Sequence, residues 1–528
     1  MKDLSFLENS SAGSHWLRVG IDHHHGVAIP LFSIHSEKSS GIGEYTDLPL
    51  LIDWCASIGF DVIQLLPLND TEQGISPYSA VSAFALNPIF IGLHDLPHVH
   101  EQPILKEELK ALPKFSYTQH IDYSKVREQK ERFIRNYYAI FGKNIVKSKA
   151  FEQFCKSAQY WLRDYAVFKI LKSRHHWISW EIWPEGENKP SPELIETIVR
   201  EEEEEYHLIC FVQFLCDQQM KAARDYALQH KISIMGDIPI LINRDSADVW
   251  MHRDLFDLSF SAGAPPDMFT DLGQNWGYPI YQWDVIAKQN YQWWTERLQW
   301  ASRYYQIYRL DHIVGFFRIW ATPLGLTGKD GSFIPKEENT WIDQGQKIML
   351  MMLNAADMLP IGEDLGVVSP AVKTCLSALG ICGTRVMRWE RRWNEDRSFI
   401  SPMEYAADSL TTVSTHDTET LQQWWRNCPA EAQAFAETKG WSYQSSLSRE
   451  YHREILWDSH HSNSLFHINF LQEYLALIPG LSWSDPDDER INTPGTVNEK
   501  NWCYRLRPSL EDLNQLNALN RILKELVL

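Results

Sequence analysis

Eight short runs with a strand-like pattern of apolar and polar residues recur along the chain and predict its strands. They lie at 26–32, 61–67, 232–239, 305–311, 359–363, 383–389, 410–416 and 465–470. Near-continuous apolar strands are typical of a parallel sheet that is buried on both faces. Segments with helical periodicity, such as 48–58 and 207–230, stand between many of these runs and complete βαβ units. Eight strands alternating with helices predict an α/β fold, a (β/α)8 TIM barrel.

The stretches between the runs define the predicted domain organisation. Residues 1–25 are polar and predict an irregular lead-in, and residues 26–528 predict one barrel domain. Within it, 95–205 predict an inserted helical subdomain, and 241–303 predict a loop-rich subdomain. The helical periodicity of 510–528 is followed by no sheet pattern, so we expect no C-terminal β-sandwich. A doubly wound open sheet is the alternative, but no G-x-G-x-x-G motif follows any strand.

Composition and charge exclude several classes of function. The net charge of −19 argues against a nucleic-acid or anionic-membrane partner, because both require a basic face. No apolar run approaches about 20 residues and no basic leader opens the chain, so we predict neither a membrane span nor a signal peptide. The eight cysteines form no C-x-x-C pair, which predicts reduced thiols and a cytoplasmic location.

The sequence also contains no pattern that calls for a metal or a cofactor. The run His23-His24-His25 lacks further ligands at a recognisable spacing, and no H-E-x-x-H motif is present. The five glutamates at 201–205 are better explained as a solvated helix face. We therefore expect no metal and no cofactor.

Four of the predicted strands end in carboxylates, namely Asp237, Asp311, Glu363 and Asp417. The carboxyl ends of the strands line the active site in a barrel of this kind. One such residue on its own is explained equally well by an ion pair or by a helix N-cap. Four carboxylates at one rim would repel each other in a purely structural role. Convergent carboxylates are what the hydrolysis or transfer of glycosidic bonds requires.

The surroundings of two of these carboxylates predict different protonation states. Arg309 lies two residues before Asp311, so both side chains point to the same side of the strand. A neighbouring cation lowers the pKa of a carboxyl group, which predicts an ionised Asp311. Glu363 has no cation beside it in the sequence and is the natural acid.

Three segments resemble the catalytic motifs of the 4-α-glucanotransferases (amylomaltases, disproportionating enzymes) of glycoside hydrolase family 77. They are Tyr-Arg-Leu-Asp-His at 308–312, Gly-Glu-Asp-Leu-Gly at 362–366 and Thr-His-Asp at 415–417. Pro-Pro-Asp at 265–267 through Gly-Gln-Asn-Trp-Gly at 273–277 resembles the mobile loop on the acceptor side of that family. Ser-Pro-Tyr at 76–78, Gly-Asp-Ile-Pro at 236–239 and Asn-Thr-Pro-Gly at 492–495 also match.

The resemblance implies roles for the residues of these motifs. Asp311 would be the nucleophile, Glu363 the general acid/base, and Asp417 the group that holds the hydroxyls of the donor sugar. Further residues implied to bind substrate are Tyr78, Asp237, Arg309, His312, His416 and Asn492, with Trp276, Gln274 and Trp389 on the acceptor side. The implied reaction is double displacement with retention, for which the carboxyl groups of Asp311 and Glu363 should lie about 5–5.5 Å apart.

Within the family, the chain is most similar to the type 2 disproportionating enzymes, which act on maltose. It resembles them without their N-terminal starch-binding modules, so the implied substrates are maltose and maltodextrins, with glycogen as a further candidate. Two alternatives remain open at this stage: a retaining α-glucan hydrolase and a non-catalytic glucan-binding protein. Transfer instead of hydrolysis requires a lid that excludes water, and the loop at 263–277 is the candidate.

Overall fold

The structure, a computed structural model, describes residues 4–112, 118–266 and 271–528. Its strands are, in chain order, β1 (His24–Ile29), β2 (Val62–Leu65), β3 (Ser233–Ile238), β4 (Phe256–Asp257), β5 (Phe260–Ala264), β6 (Gln274–Asn275), β7 (Ile280–Tyr281), β8 (Ile307–Leu310), β9 (Ile319–Pro323), β10 (Ser332–Ile334), β11 (Leu359–Gly362), β12 (Gly383–Val386), β13 (Ser409–Thr412) and β14 (Phe466–Phe470).

Eight of these strands form one parallel sheet in the order β11-β8-β3-β2-β1-β14-β13-β12. The two ends of this sheet meet, because a parallel bridge joins Ile361 in β11 to Cys382 immediately before β12. The Gly362 N–H also donates to the Cys382 carbonyl at 2.7 Å. The sheet therefore closes into a barrel whose strands follow one another in chain order. Each of the eight predicted strands is confirmed, as is the TIM-barrel fold.

Helices surround the barrel and form the long insertion after β2. They are α1 (Ser5–Glu8), α2 (Gly13–Val19), α3 (Leu48–Ile58), α4 (Pro103–Ala111), α5 (Tyr123–Ile145), α6 (Lys149–Ser157), α7 (Leu162–Arg174), α8 (Pro192–Glu201), α9 (Glu203–Gln229), α10 (Ala247–Met251), α11 (Trp283–Lys288), α12 (Gln292–Ala301), α13 (Glu338–Ala355), α14 (Pro370–Leu379), α15 (Leu421–Asn427), α16 (Pro429–Thr438), α17 (Arg449–His460), α18 (Leu471–Leu475), α19 (Leu510–Gln515) and α20 (Asn517–Val527).

The ends of α3 show how local sequence sets a helix boundary. Pro49 occupies the first turn, where a missing N–H costs no helical hydrogen bond. Gly59 follows the last residue with φ = 89°, a left-handed conformation that glycine adopts without a steric penalty. The predicted bounds of this helix, 48–58, agree with the structure.

The prediction of an irregular lead-in over residues 1–25 is wrong. This segment contains α1 and α2, and β1 begins at His24. Trp16 holds it against the barrel, because its ring is fully buried and its Nε1–H donates to the Gly380 carbonyl at 2.8 Å. Helices of four and seven residues are too short to show a helical period, so only their packing on the barrel reveals them.

Between β3 and β11 the chain adds a small antiparallel sheet that the sequence analysis did not predict. Its strands are ordered β10-β9-β5-β6, and β6 places Gln274 opposite Ala264. The assignments of 95–205 as an inserted subdomain and of 241–303 as a lid-bearing subdomain remain our proposals. Among the described residues, no helix is both long and apolar enough to cross a membrane.

Candidate active site

The carboxyl ends of β3, β8 and β11 bring four of the predicted site residues together. In the register of the sheet, Arg309 pairs with Asp237 on one side and with Ile361 on the other. Asp311 follows β8 and Glu363 follows β11. Because these strands are adjacent and parallel, the side chains at their ends lie at the same rim.

Arg309 contacts three carboxylates at this rim. Its Nη1 donates to both oxygens of Asp237 at 2.9 Å. Its Nη2 lies 3.0 Å from Oδ1 of Asp311 and 3.9 Å from Oε2 of Glu363. These two oxygens therefore lie no farther apart than the sum of the two distances, about 7 Å. Burial alone would lower the pKa of Arg309, but the surrounding acidic groups raise it well above its usual value.

Glu363 lies in surroundings that favour its protonated form. Burial raises the pKa of its carboxyl group to about 8, and the negative charge of Asp311 adds to this effect against the pull of Arg309. Two backbone N–H groups donate to it, from His312 at 2.9 Å and from Leu365 at 3.2 Å. His312 can donate there because its backbone has φ = 44°, in the left-handed region. The side chain of Glu363 is only 16% exposed.

Asp417 lies in the opposite electrostatic situation. Burial alone would raise its pKa, but His416 and a hydrogen bond from Asn492 lower it to about 2. Nδ2 of Asn492 donates to Oδ1 of Asp417 at 2.6 Å, and Nε2 of His416 lies 3.4 Å from Oδ2. The rim therefore contains one carboxyl group that holds its proton at neutral pH and one that stays ionised.

Aromatic side chains lie beside these carboxylates. The ring of Tyr78 stacks on His416 with centroids 5.1 Å apart, and its hydroxyl donates to Asp237 at 2.7 Å. On the other side, the rings of Trp276 and His312 pack edge to face with centroids 5.1 Å apart, and Nε1–H of Trp276 donates to Oε1 of Gln274 at 2.9 Å.

The structure does not join every predicted site residue to this centre. Trp389 ends the short 3-10 helix after β12, and its described contacts are with Arg388 and Trp393, not with the carboxylates. Residues 267–270, which include Asp267 of the predicted acceptor-side loop, lie outside the described residues.

Two residues at the site were missed by the sequence analysis. Trp502 packs on both Tyr78 and His416, and Arg490 donates to the carbonyls of Asn492 and Asp417. Both lie in the segment that carries Asn492. Their nearness to that motif is the signal that could have found them, since nothing in their own local pattern distinguishes them from core or surface residues.

The described residues contain no group of three or more His, Cys, Asp or Glu side chains that could hold a metal ion. The His23-His24-His25 run instead makes hydrogen bonds to other histidines. It lies at the start of β1, away from the carboxyl ends of the strands that carry the site. His23 bonds to His467 at 3.0 Å, and His25 bonds to His460 at 2.9 Å.

Comparison with known proteins identifies the family to which this site belongs. Residues 29–511 match the model of glycoside hydrolase family 77, described as 4-alpha-glucanotransferase. The chain belongs to this family. A 4-alpha-glucanotransferase of Chlamydia pneumoniae is 44% identical to it over 518 residues, which cover 97% of each protein. The chain is thus an enzyme of the 4-alpha-glucanotransferase class, transferring glucosyl units between α-glucans.

More distant relatives agree with this assignment. The 4-alpha-glucanotransferase DPE2 of Oryza sativa subsp. japonica is 27% identical over 657 residues, which cover 95% of this chain and 69% of the relative. The solved structure of the amylomaltase from Streptococcus agalactiae in complex with acarbose superposes with a TM-score of 0.82. Its sequence identity is 24%, and the match covers 96% of this chain and 98% of that one, so the likeness shows the shared barrel fold.

Proposed function

We propose that Asp311 is the nucleophile and Glu363 the general acid/base of a retaining 4-α-glucanotransfer. The observation that carries this proposal is the contact of both carboxylates with one guanidinium, at 3.0 and 3.9 Å from Nη2 of Arg309. The closer one, Asp311, is the one whose negative charge Arg309 stabilises most directly. The farther one, Glu363, has a pKa raised to about 8 and is protonated at neutral pH.

In the first step the Asp311 carboxylate attacks the anomeric carbon of the donor sugar. The bond from that carbon to the glycosidic oxygen breaks, and the proton of Glu363 passes to this oxygen. The products are a glucosyl ester of Asp311, a shortened glucan and an ionised Glu363. The three remaining charged groups, Asp417, Asp237 and Arg309, hold the donor side.

In the second step Glu363 acts as a base. The negative charge of Asp311 raises the pKa of Glu363 in the free enzyme, and that charge disappears when the ester forms. The pKa of Glu363 therefore falls at the intermediate, but its carboxylate still accepts the proton of the acceptor's 4-hydroxyl. The acceptor oxygen attacks the anomeric carbon and displaces Asp311, which restores the original configuration.

Transfer requires that a sugar reach the intermediate before water does. Trp276 is the residue that best serves this purpose, because its ring lies against His312, next in the chain to Asp311. A flat apolar ring excludes water and offers a stacking face for an acceptor sugar. Gln274 fixes the orientation of that ring through its hydrogen bond to Nε1. Trp389 is proposed for a more distant acceptor subsite.

We further propose maltose and maltodextrins as substrates, glycogen as a candidate acceptor, and a cytoplasmic location. The free state of all eight cysteines supports the location. A comparison of maltose with maltotriose as the sole donor, each with and without glycogen, tests the substrates. Elongation from maltotriose alone but from maltose only with glycogen would assign glycogen as an acceptor.

The experiment that tests the mechanism is incubation with maltotriose, followed by separation of the products by length. Transfer predicts free glucose together with longer maltodextrins, whereas hydrolysis predicts new reducing ends without longer products. Asp311→Asn should abolish turnover and still bind maltotriose, and Glu450→Gln, an exposed change in α17, serves as the matched control. Full turnover by Asp311→Asn would refute the assignment of the nucleophile.

A further inference from the structure

Trp502 packs on two aromatic rings of the donor side at once. Its ring centroid lies 5.7 Å from that of Tyr78 and 5.8 Å from that of His416, and the latter two rings stack at 5.1 Å. We call Tyr78, His416 and Trp502 the three-ring cluster. Two of its members contact carboxylates of the site: the Tyr78 hydroxyl donates to Asp237, and Nε2 of His416 lies 3.4 Å from Oδ2 of Asp417. Trp502 itself is 8% exposed and packs against the rings of both Tyr78 and His416.

The backbone of Trp502 is held in a conformation that a tryptophan seldom adopts. Its φ is +63°, in the left-handed region, which is sterically unfavourable for a residue with a side chain. Two hydrogen bonds hold it there: its N–H donates to the Ile491 carbonyl at 2.7 Å, and its carbonyl accepts from the Tyr123 hydroxyl at 2.9 Å. Backbone strain that the surroundings enforce is concentrated at functional sites.

The loop at 491–502 delivers this ring together with Asn492. The side chain of Asn501 closes the loop, because its Oδ1 accepts from the Thr493 N–H at 3.1 Å and its Nδ2 donates to the Thr496 carbonyl at 3.0 Å. At the other end, the Asn492 N–H donates to the His416 carbonyl at 3.1 Å. One closed loop therefore contacts the residue pair His416–Asp417 twice, once through Asn492 and once through the ring of Trp502.

We propose that Trp502 is a positioning residue of the transfer reaction. It acts through Tyr78 and His416, whose rings it fixes against the carboxylates that hold the donor sugar. The proposal rests on the proposed function and goes beyond it by adding a residue that need not touch the reacting atoms. Misplacement of donor-side groups by about 1 Å costs on the order of 100-fold in rate. Because such misplacement affects the distorted transition state more than the bound ground state, kcat should fall much more than KM rises.

The test compares Trp502→Phe, Trp502→Ala and Trp502→Gly with the wild-type enzyme in the maltotriose transfer assay. We expect Ala to lower kcat/KM by about 100-fold and Phe, which keeps a ring, by less than about tenfold. Glycine relieves the strain at φ +63° but also lacks the ring, so Gly should be as inactive as Ala even though it unfolds at a higher temperature than Ala. Activity that follows the unfolding temperature across the three variants would instead assign Trp502 a purely structural role and overturn the proposal.

Two further measurements separate the possible failures. Trp54→Phe changes a fully buried tryptophan of α3 outside the site, and it should lower stability without lowering kcat. The dissociation constant for maltotriose should differ by less than about tenfold between Glu363→Gln and the double variant that also carries Trp502→Ala. If the wild-type enzyme makes no product that is longer than maltotriose, the proposed function fails and this inference fails with it. If the wild type transfers and Trp502→Ala retains at least a third of its kcat/KM, only the inference fails.

Discussion

The raised pKa of Glu363 leads to a measurable dependence of stability on pH. Between the usual value of 4.5 and the folded value of about 8, the folded protein holds a proton that the unfolded chain has lost. The folded state therefore loses stability as the pH rises through this interval, because the state that binds more protons is disfavoured as the proton concentration falls. Below pH 4.5 the group is protonated in both states and contributes no difference.

The full effect is about 5 kcal/mol, since each pKa unit corresponds to about 1.36 kcal/mol. Water reaches part of the side chain, which is 16% exposed, so we expect about 2–4 kcal/mol in practice. Glu363→Gln removes the ionisable proton. Its stability relative to the wild type should therefore rise as the pH increases from 4.5 to about 8, and then level off.

The assay is thermal and urea unfolding of both proteins at several pH values between 4 and 9. Loss of one acceptor for the N–H groups of His312 and Leu365 changes the stability of Glu363→Gln by an amount that does not depend on pH. The slope is therefore the diagnostic quantity. Glu450→Gln, on the exposed face of α17, should stay within about 0.5 kcal/mol of the wild type throughout. A difference between Glu363→Gln and wild type that stays constant from pH 5 to 9 would refute the reasoning.

Two further pairs of variants test the acceptor side and the buried charges. Trp276→Ala should lower the ratio of longer maltodextrins to hydrolysis products from maltotriose at least tenfold. Gln274→Ala removes only one hydrogen bond of about 1 kcal/mol and should lower this ratio less. Equal ratios in the wild type and both variants would contradict the role of the Trp276 ring. Lys130→Met should destabilise the fold by about 3–5 kcal/mol, and more at pH 8 than at pH 5, because it leaves Glu44 buried without its partner at 2.6 Å. Lys110→Met breaks an exposed pair of the same length with Glu107 and should leave the free energy of unfolding nearly unchanged, so similar losses for the two variants would contradict the argument from burial.

The repeating apolar runs were sufficient to predict the barrel. Strands such as β2 and β11 are buried on both faces and apolar almost throughout, and that pattern is visible without coordinates. Strands β12 and β13 instead contain buried polar residues, among them Thr384 and Thr411. The acidic residues at the ends of β3, β8 and β11 could also be placed at one rim. Parallel strands in chain order leave no other arrangement for their carboxyl ends.

The tertiary structure alone decided the features that depend on contacts between distant segments. Helices α1 and α2 are held by burial of Trp16 against Gly380. The sheet of β5, β6, β9 and β10 forms only because separate segments of the chain pair with one another. The left-handed backbone of His312, which directs its N–H to Glu363, likewise has no signature in the local sequence.

For the charged groups at the rim, too, the sequence predicted one part and the tertiary structure decided the other. Sequence spacing placed Arg309 beside Asp311, but the pKa of Glu363 depends on burial by residues from all over the chain. Periodicity records which positions must be apolar, and this is a local property of each element. Desolvation, ring packing and backbone strain arise only when separate elements meet, and so Trp502 and the protonation of Glu363 became visible only in the folded chain.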